Sequence, residues 1–148
     1  MLEEILIYEN RDQLYQFLID DFDFIKAAEK YDPVNFGNWA VELADKDITL
    51  TYYNDRSFLD INIAKKDERT DGYSLSFVQD FIYNPENINS DEITENVIRI
   101  KTLNNFLKRD FLKIKNLFNS ENYIDTQQKI NYLLKEKFFK RFPSQNNH

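Results

Sequence analysis

Residues 39–63, WAVELADKDITLTYYNDRSFLDINI, decide the fold. Apolar and polar side chains alternate in three runs, which are separated by short polar turns at residues 45–47 and 54–57. Alternation with a period of two is typical of a strand with one buried face, and such short connections favour antiparallel neighbours. The stretch therefore predicts a three-stranded antiparallel meander.

The segments on either side of this meander show other patterns. Apolar residues recur at spacings of three and four between Asn10 and Pro33, which predicts a first helix over that range with a capping-box-like start. Proline disfavours helical backbone in the residue before it, so Pro33 ends the predicted helix. After the meander, residues 73–77 alternate again and predict a fourth strand that ends near Tyr83.

The last third of the chain has helical spacing. The acidic start signal at residues 89–92 predicts a long amphipathic helix, or two helices if the asparagines at 104–105 break it. Asp125 with Gln128 predicts the cap of a final helix. Residues 143–148 are predicted to form a frayed tail.

This order of elements predicts an α+β fold: an N-terminal helix, an antiparallel meander of three or four strands, and two or three C-terminal helices. Strands and helices that are segregated along the chain are typical of this class. The chain has no internal repeat and no low-complexity linker, and its 148 residues fit one domain, 1–148.

The residue inventory argues against most catalytic chemistry. The chain has no cysteine, its one histidine is His148 at the end of the predicted tail, and its two glycines, Gly37 and Gly72, are isolated. These counts exclude thiolate chemistry and a glycine-rich phosphate loop, and argue against a histidine-centred triad or metal cluster. We predict that the protein is not an enzyme and holds no metal or cofactor.

The sequence also predicts a cytoplasmic protein. The first four residues, Met1 to Glu4, lack the basic and apolar regions of a signal peptide. No run approaches the ~18 apolar residues of a membrane span. The absence of cysteine favours a reducing compartment.

Charge is distributed unevenly along the chain. Residues 1–95 hold 22 acidic and 8 basic side chains, whereas residues 96–148 hold 4 acidic and 11 basic ones. One interpretation is that both parts are simply solvated. The other is that an acidic surface, with Asp20, Asp21 and Asp23 on the first helix, attracts a basic partner. The net charge of −7 argues against nucleic acid as the partner.

The polar face of the meander is a second candidate site. Glu42 and Asp60 are predicted to share this face with Tyr53 and Phe58, and aromatic side chains of this kind anchor protein interfaces. The C-terminal helices could instead cover the face. A carboxylate-based enzyme is the third alternative, with Glu42 and Asp60 roughly 9–10 Å apart, near the upper limit for an inverting carboxylate pair.

Residues 36–43, FGNWAVEL, and 57–63, SFLDINI, resemble a recurring pattern in small bacterial proteins of the polymorphic-toxin immunity type. The resemblance covers roughly residues 36–64 and contains no catalytic motif. It implies a cytoplasmic inhibitor that binds a toxin domain, often a basic nuclease, and blocks its active site. It implies no particular binding residues. A regulatory or structural interaction protein without a toxin partner is the alternative.

Overall fold

The computed structural model describes residues 8–68, 72–86 and 95–141, and the side chains as far as residue 136. A single 3₁₀ turn at Tyr8–Asn10 precedes the first helix. The helices are α1 (Asp12–Phe22), α2 (Leu75–Tyr83), α3 (Asn96–Phe118) and α4 (Tyr123–Arg141). The strands are β1 (Ile25–Asp32), β2 (Asn38–Ala44), β3 (Ile48–Asp55), β4 (Phe58–Lys65) and β5 (Tyr73–Ser74). The predicted α+β class is confirmed, with more strands than predicted.

The five strands form one antiparallel sheet in the order β1-β2-β3-β4-β5. The predicted meander corresponds to β2, β3 and β4. Alternate residues of β2 and β3 are buried, so the period-two pattern does define one buried face, the inner face. Its buried apolar side chains are Trp39, Val41, Leu43, Ile48, Leu50, Tyr52, Leu59, Ile61 and Ile63.

Helices α1 and α3 pack on the inner face of the sheet. Leu18 of α1 and Leu103 and Leu107 of α3 belong to the same buried cluster as the inner-face side chains. The rings of Tyr15 and Tyr52 lie 5.6 Å apart, between α1 and the centre of β3. In the part of the chain that the structure describes, these two helices thus cover the apolar face of the sheet.

The prediction of one helix from Asn10 to Pro33 is wrong. Helix α1 ends at Phe22, Asp23 adopts the left-handed conformation (φ 60°), and the Phe24 N–H donates to the Leu18 carbonyl (3.1 Å). From Ile25 the chain continues as a strand that pairs with β2. The apolar spacing of this segment also fits a helix, but hydrogen bonding to the edge of β2 satisfies its backbone as a strand.

The prediction of a strand from residue 73 to Tyr83 is also wrong. Only Tyr73 and Ser74 pair with β4, and residues 75–83 form α2. Leu75 and Val78 are fully buried. Their spacing of three puts them on one side of a helix. This short segment thus fits the spacing of a helix as well as the alternation of a strand, and packing decides between the two.

The C-terminal helices follow the predicted spacing with shifted boundaries. Helix α3 continues through residues 104–105, and its one non-helical residue is Asp110 (φ −115°, ψ 24°). Helix α4 begins at Tyr123, two residues before the predicted cap at Asp125. The predicted start signal at 89–92 and the predicted tail at 143–148 lie outside the described residues. None of the described helices is both long enough and apolar enough to span a membrane.

Helix α3 also protects the free edge of β4. Beyond the short β5, the Leu59 N–H donates to Asn96 Oδ1 (3.0 Å), and Arg99 Nη1 donates to the Leu59 carbonyl (2.7 Å). These side chains from the start of α3 replace the missing strand neighbour. Arg99 therefore lies across the edge of the sheet, and its guanidinium carbon is 4.2 Å from the centre of the Phe58 ring.

Candidate protein-binding surface

The face of the sheet opposite the helices, the outer face, forms an open groove of about 670 Å³. Its floor consists of small and polar side chains from the three central strands: Ala40, Glu42, Ala44, Thr49, Thr51, Tyr53, Asn62 and Ala64. The sequence left open whether the C-terminal helices cover this face. Helix α3 packs on the inner face, and within the described ranges no helix residue lines the groove.

Glu42 and Asp60 share the outer face but are not neighbours. Glu42 pairs with Thr51, whereas Asp60 pairs with Tyr53, one row further along the sheet. Two strand spacings combined with two residues along the strand separate their backbones by roughly 12 Å. This backbone separation is larger than the roughly 9–10 Å that the sequence predicted for the pair, so the geometry does not favour the carboxylate-based enzyme.

Asp60 is buried although it lies on the polar face of the meander. Its side chain is 6% exposed, and among the described residues Oδ1 has no hydrogen-bond partner. Desolvation raises the pKa of Asp60, while the backbone at Ile61, the Arg99 guanidinium and the Tyr53 hydroxyl partly oppose this effect. Burial in turn raises the pKa of Tyr53 to about 12. Asp60 is thus a buried carboxylate beside Arg99.

The raised pKa of Asp60 leads to a prediction about pH and stability. A carboxyl group whose pKa is higher in the folded state makes the protein less stable as the pH rises. The loss begins at the pKa of the unfolded state, about 3.9, and is complete above the pKa of the folded state. We therefore expect Asp60→Asn to be more stable than the wild type at pH 7. The difference should shrink as the pH falls towards 4. Urea denaturation across this pH range measures it, and a difference independent of pH would contradict the role of desolvation.

Phe58, another predicted partner-binding residue, lies at one end of the sheet beside the β3–β4 turn and is 45% exposed. The β1–β2 loop reaches the same end. The Arg56 N–H donates to Asn38 Oδ1 (2.7 Å), and the Arg56 guanidinium carbon lies 5.8 Å from the centre of the Phe36 ring. Phe36 and Arg56 were not among the predicted binding residues. Nothing local in the sequence indicates that the two turns meet.

Asp20, Asp21 and Asp23 are exposed at the C-terminal end of α1, a group that we call the acidic helix end. The chain passes from there into Ile25, which pairs with Ala44 at the end of the sheet remote from Phe58. From the spacing between strands and the rise along them, the backbones of Asp23 and Asp60 lie roughly 20 Å apart. The predicted acidic residues therefore occupy separate regions.

Basic side chains of the helical layer neutralise some acidic groups and leave others. Lys115 of α3 forms ion pairs with Asp45 and with Asp47 (2.9 Å) in the β2–β3 turn. Arg11 pairs with Glu29. Within the described ranges, neither the acidic helix end nor Glu42 forms an ion pair.

No family model, curated protein or solved structure matches this chain. The resemblance of residues 36–64 to immunity proteins stays a prediction. In the part of the chain that the structure describes, no three His, Cys, Asp or Glu side chains are grouped so that they could hold a metal ion.

Proposed function

We propose that this chain is a protein-binding inhibitor of the immunity type, which neutralises a cognate basic toxin domain in the bacterial cytoplasm through its acidic surface. The observation that carries the proposal is the acidic helix end. Asp20, Asp21 and Asp23 project from one helix terminus, and no described cation forms an ion pair with them. The open outer face with Glu42 and Tyr53 supplies additional contact area.

The position of these carboxylates supports a role in binding. The C-terminal end of a helix carries a partial negative charge, so acidic side chains there destabilise the helix. Helix α1 has no basic residue in its last turn to offset this. Clustered charge of one sign accelerates the association of an oppositely charged partner. A loss of stability in exchange for faster binding is consistent with an inhibitor that must capture its target quickly.

Co-expression tests the proposal directly. We expect this chain to restore growth of cells that produce the toxin domain encoded beside its gene, and to form a stable 1:1 complex with a catalytically inactive form of that domain. Growth is measured by plating, and the complex by size-exclusion chromatography with light scattering. Failure of both measurements would remove the immunity function and favour a regulatory or structural interaction protein.

The acidic helix end should control the rate of association. We expect the triple variant Asp20→Asn, Asp21→Asn, Asp23→Asn to associate about tenfold more slowly than the wild type at low salt. The two rates should converge as salt increases, because salt screens exposed charges. Stopped-flow fluorescence measures both. Asparagine tolerates the left-handed backbone at position 23, so this variant should fold and be at least as stable as the wild type.

The matched control changes the net charge by the same amount elsewhere. Glu86, Glu121 and Glu136 are exposed and lie outside α1 and the sheet. The triple variant Glu86→Gln, Glu121→Gln, Glu136→Gln should associate nearly as fast as the wild type. Equal slowing in both triple variants would mean that net charge, and not the acidic helix end, determines the rate.

A further inference from the structure

Two turns meet at the end of the sheet remote from the acidic helix end and expose a compact group of large side chains. We define this hairpin-tip patch as Val34, Phe36, Arg56 and Phe58. Val34 is 94% exposed and Phe36 is 71% exposed. The hydrogen bond from the Arg56 N–H to Asn38 Oδ1 (2.7 Å) ties the turns together, so the patch is a single surface.

The backbone under this patch is unfavourable for the residues that it carries. Phe36 (φ 62°), Arg56 (φ 52°) and Ser57 (φ 69°) all adopt left-handed conformations. Arg56 and Ser57 form a two-residue connection between β3 and β4, where asparagine and glycine are strongly preferred. A phenylalanine or an arginine in such a conformation lowers the stability of the fold. Strained residues of this kind cluster at binding sites.

We propose that the hairpin-tip patch is the anchor of the inhibitor and inserts into the active-site cleft of its partner enzyme. Phe36 enters an apolar pocket, and Arg56 pairs with a carboxylate at the rim of that pocket. This inference rests on the proposed function: the acidic helix end speeds association, and the patch makes the contact that blocks the target. Aromatic and arginine side chains dominate interface energies, and arginine binds carboxylates through two parallel hydrogen bonds.

Charges around the patch favour a protein cleft over a phosphate-bearing surface. Arg56 forms no ion pair with any residue in the described ranges. Two carboxylates flank the patch: Asp32 accepts the N–H groups of Val34 (3.2 Å) and Asn35 (3.1 Å), and Asp55 accepts from Asn38 Nδ2 (3.4 Å). These carboxylates would repel nucleic acid or an anionic membrane. An apolar pocket beside a single carboxylate complements the patch.

The unusual backbone provides variants that remove the side chains without harming the fold. Asparagine tolerates left-handed conformations, so Phe36→Asn and Arg56→Asn should melt at or above the wild-type temperature. Each variant should nevertheless raise the dissociation constant for the inactive toxin domain by at least about 30-fold, the effect of a strong interface residue. Arg56→Lys should fall in between, since lysine keeps the charge and loses the paired hydrogen bonds.

Matched controls lie away from the patch. Leu112 on α3 is 76% exposed, and Lys46 is an exposed cation in the β2–β3 turn at the other end of the sheet. Leu112→Ala and Lys46→Asn should bind as tightly as the wild type. Titration calorimetry gives the affinities. A photoreactive phenylalanine analogue at position 34 should cross-link to the active-site cleft of the toxin domain.

The outcomes separate the two proposals. If the wild type forms no complex with the toxin domain, the proposed function fails and the anchor fails with it. If the wild type binds but Phe36→Asn and Arg56→Asn bind equally well, only the anchor is wrong. Cross-links confined to a surface outside the cleft would also overturn the insertion, while binding itself would stand.

Discussion

Replacing Arg99 with alanine should lower the free energy of unfolding by about 3 kcal/mol, the cost of losing hydrogen bonds that a buried charged group donates. Arg99 is 3% exposed. Its Nη1 donates to the Leu59 carbonyl (2.7 Å) and to Asn96 Oδ1 (2.8 Å), and its charge acts on the buried Asp60. The variant would expose the edge of β4 and leave Asp60 without this compensating charge. Urea denaturation at pH 7 measures the loss.

A double-mutant cycle separates the role of the charge from that of the edge. In the Arg99→Ala background, Asp60→Asn should recover part of the lost stability, because it removes the buried carboxylate that Arg99 compensated. Lys101→Ala is the control on the same helix, since Lys101 is exposed, and should change stability by no more than about 0.5 kcal/mol. Strictly additive effects in the cycle would show that Arg99 acts only through the sheet edge.

The second large effect is expected at Asn104, where leucine should lower the free energy of unfolding by about 2 kcal/mol. The Tyr52 hydroxyl donates to Asn104 Oδ1 (2.7 Å), and Asn104 Nδ2 donates to the Leu14 carbonyl (2.9 Å). One side chain thus joins β3, α3 and α1 through the buried layer. Leucine has the same branched shape but cannot form either bond, so the fully buried Tyr52 hydroxyl would lose its partner.

The neighbouring asparagine provides the control. Asn105 is exposed on the same turn of α3, so Asn105→Leu should leave stability within about 0.5 kcal/mol of the wild type. Adding Tyr52→Phe to Asn104→Leu should cost less than the sum of the single changes, because it removes the hydroxyl that the first change leaves unpaired. Equal losses for Asn104→Leu and Asn105→Leu would indicate an effect of helix propensity alone.

The acidic helix end and the hairpin-tip patch share a physical feature. At both places, neutral substitutions are expected to preserve or increase stability and to weaken binding. A surface that evolved for folding alone would avoid carboxylates at the end of α1 and large side chains on the left-handed backbone at Phe36 and Arg56. A trade of stability for function is common at binding sites. Combined measurements of stability and affinity on the same variants test both proposals.

The sequence also predicted part of the candidate surface. Period-two alternation put Glu42, Tyr53, Phe58 and Asp60 on one side of the sheet, as the register shows. It could not predict that Asp60 is buried and lies within the electrostatic influence of Arg99, which is 39 residues away in the sequence and on another element. It also could not predict that Phe36 and Arg56 meet, since they lie in different turns that only the pairing of β2 with β3 brings together.

The sequence by itself determined the central meander, its buried face and the α+β class, because the alternation of side chains across a strand is a local property of the backbone. Tertiary structure decided the segments at 24–32 and 75–83, whose apolar spacing fits more than one structure. The first became β1 because the edge of β2 offered hydrogen bonds, and the second became α2 because the core accepted Leu75 and Val78. As far as the described residues extend, tertiary structure also left the outer face open, because helices α1 and α3 pack on the more apolar side of the sheet.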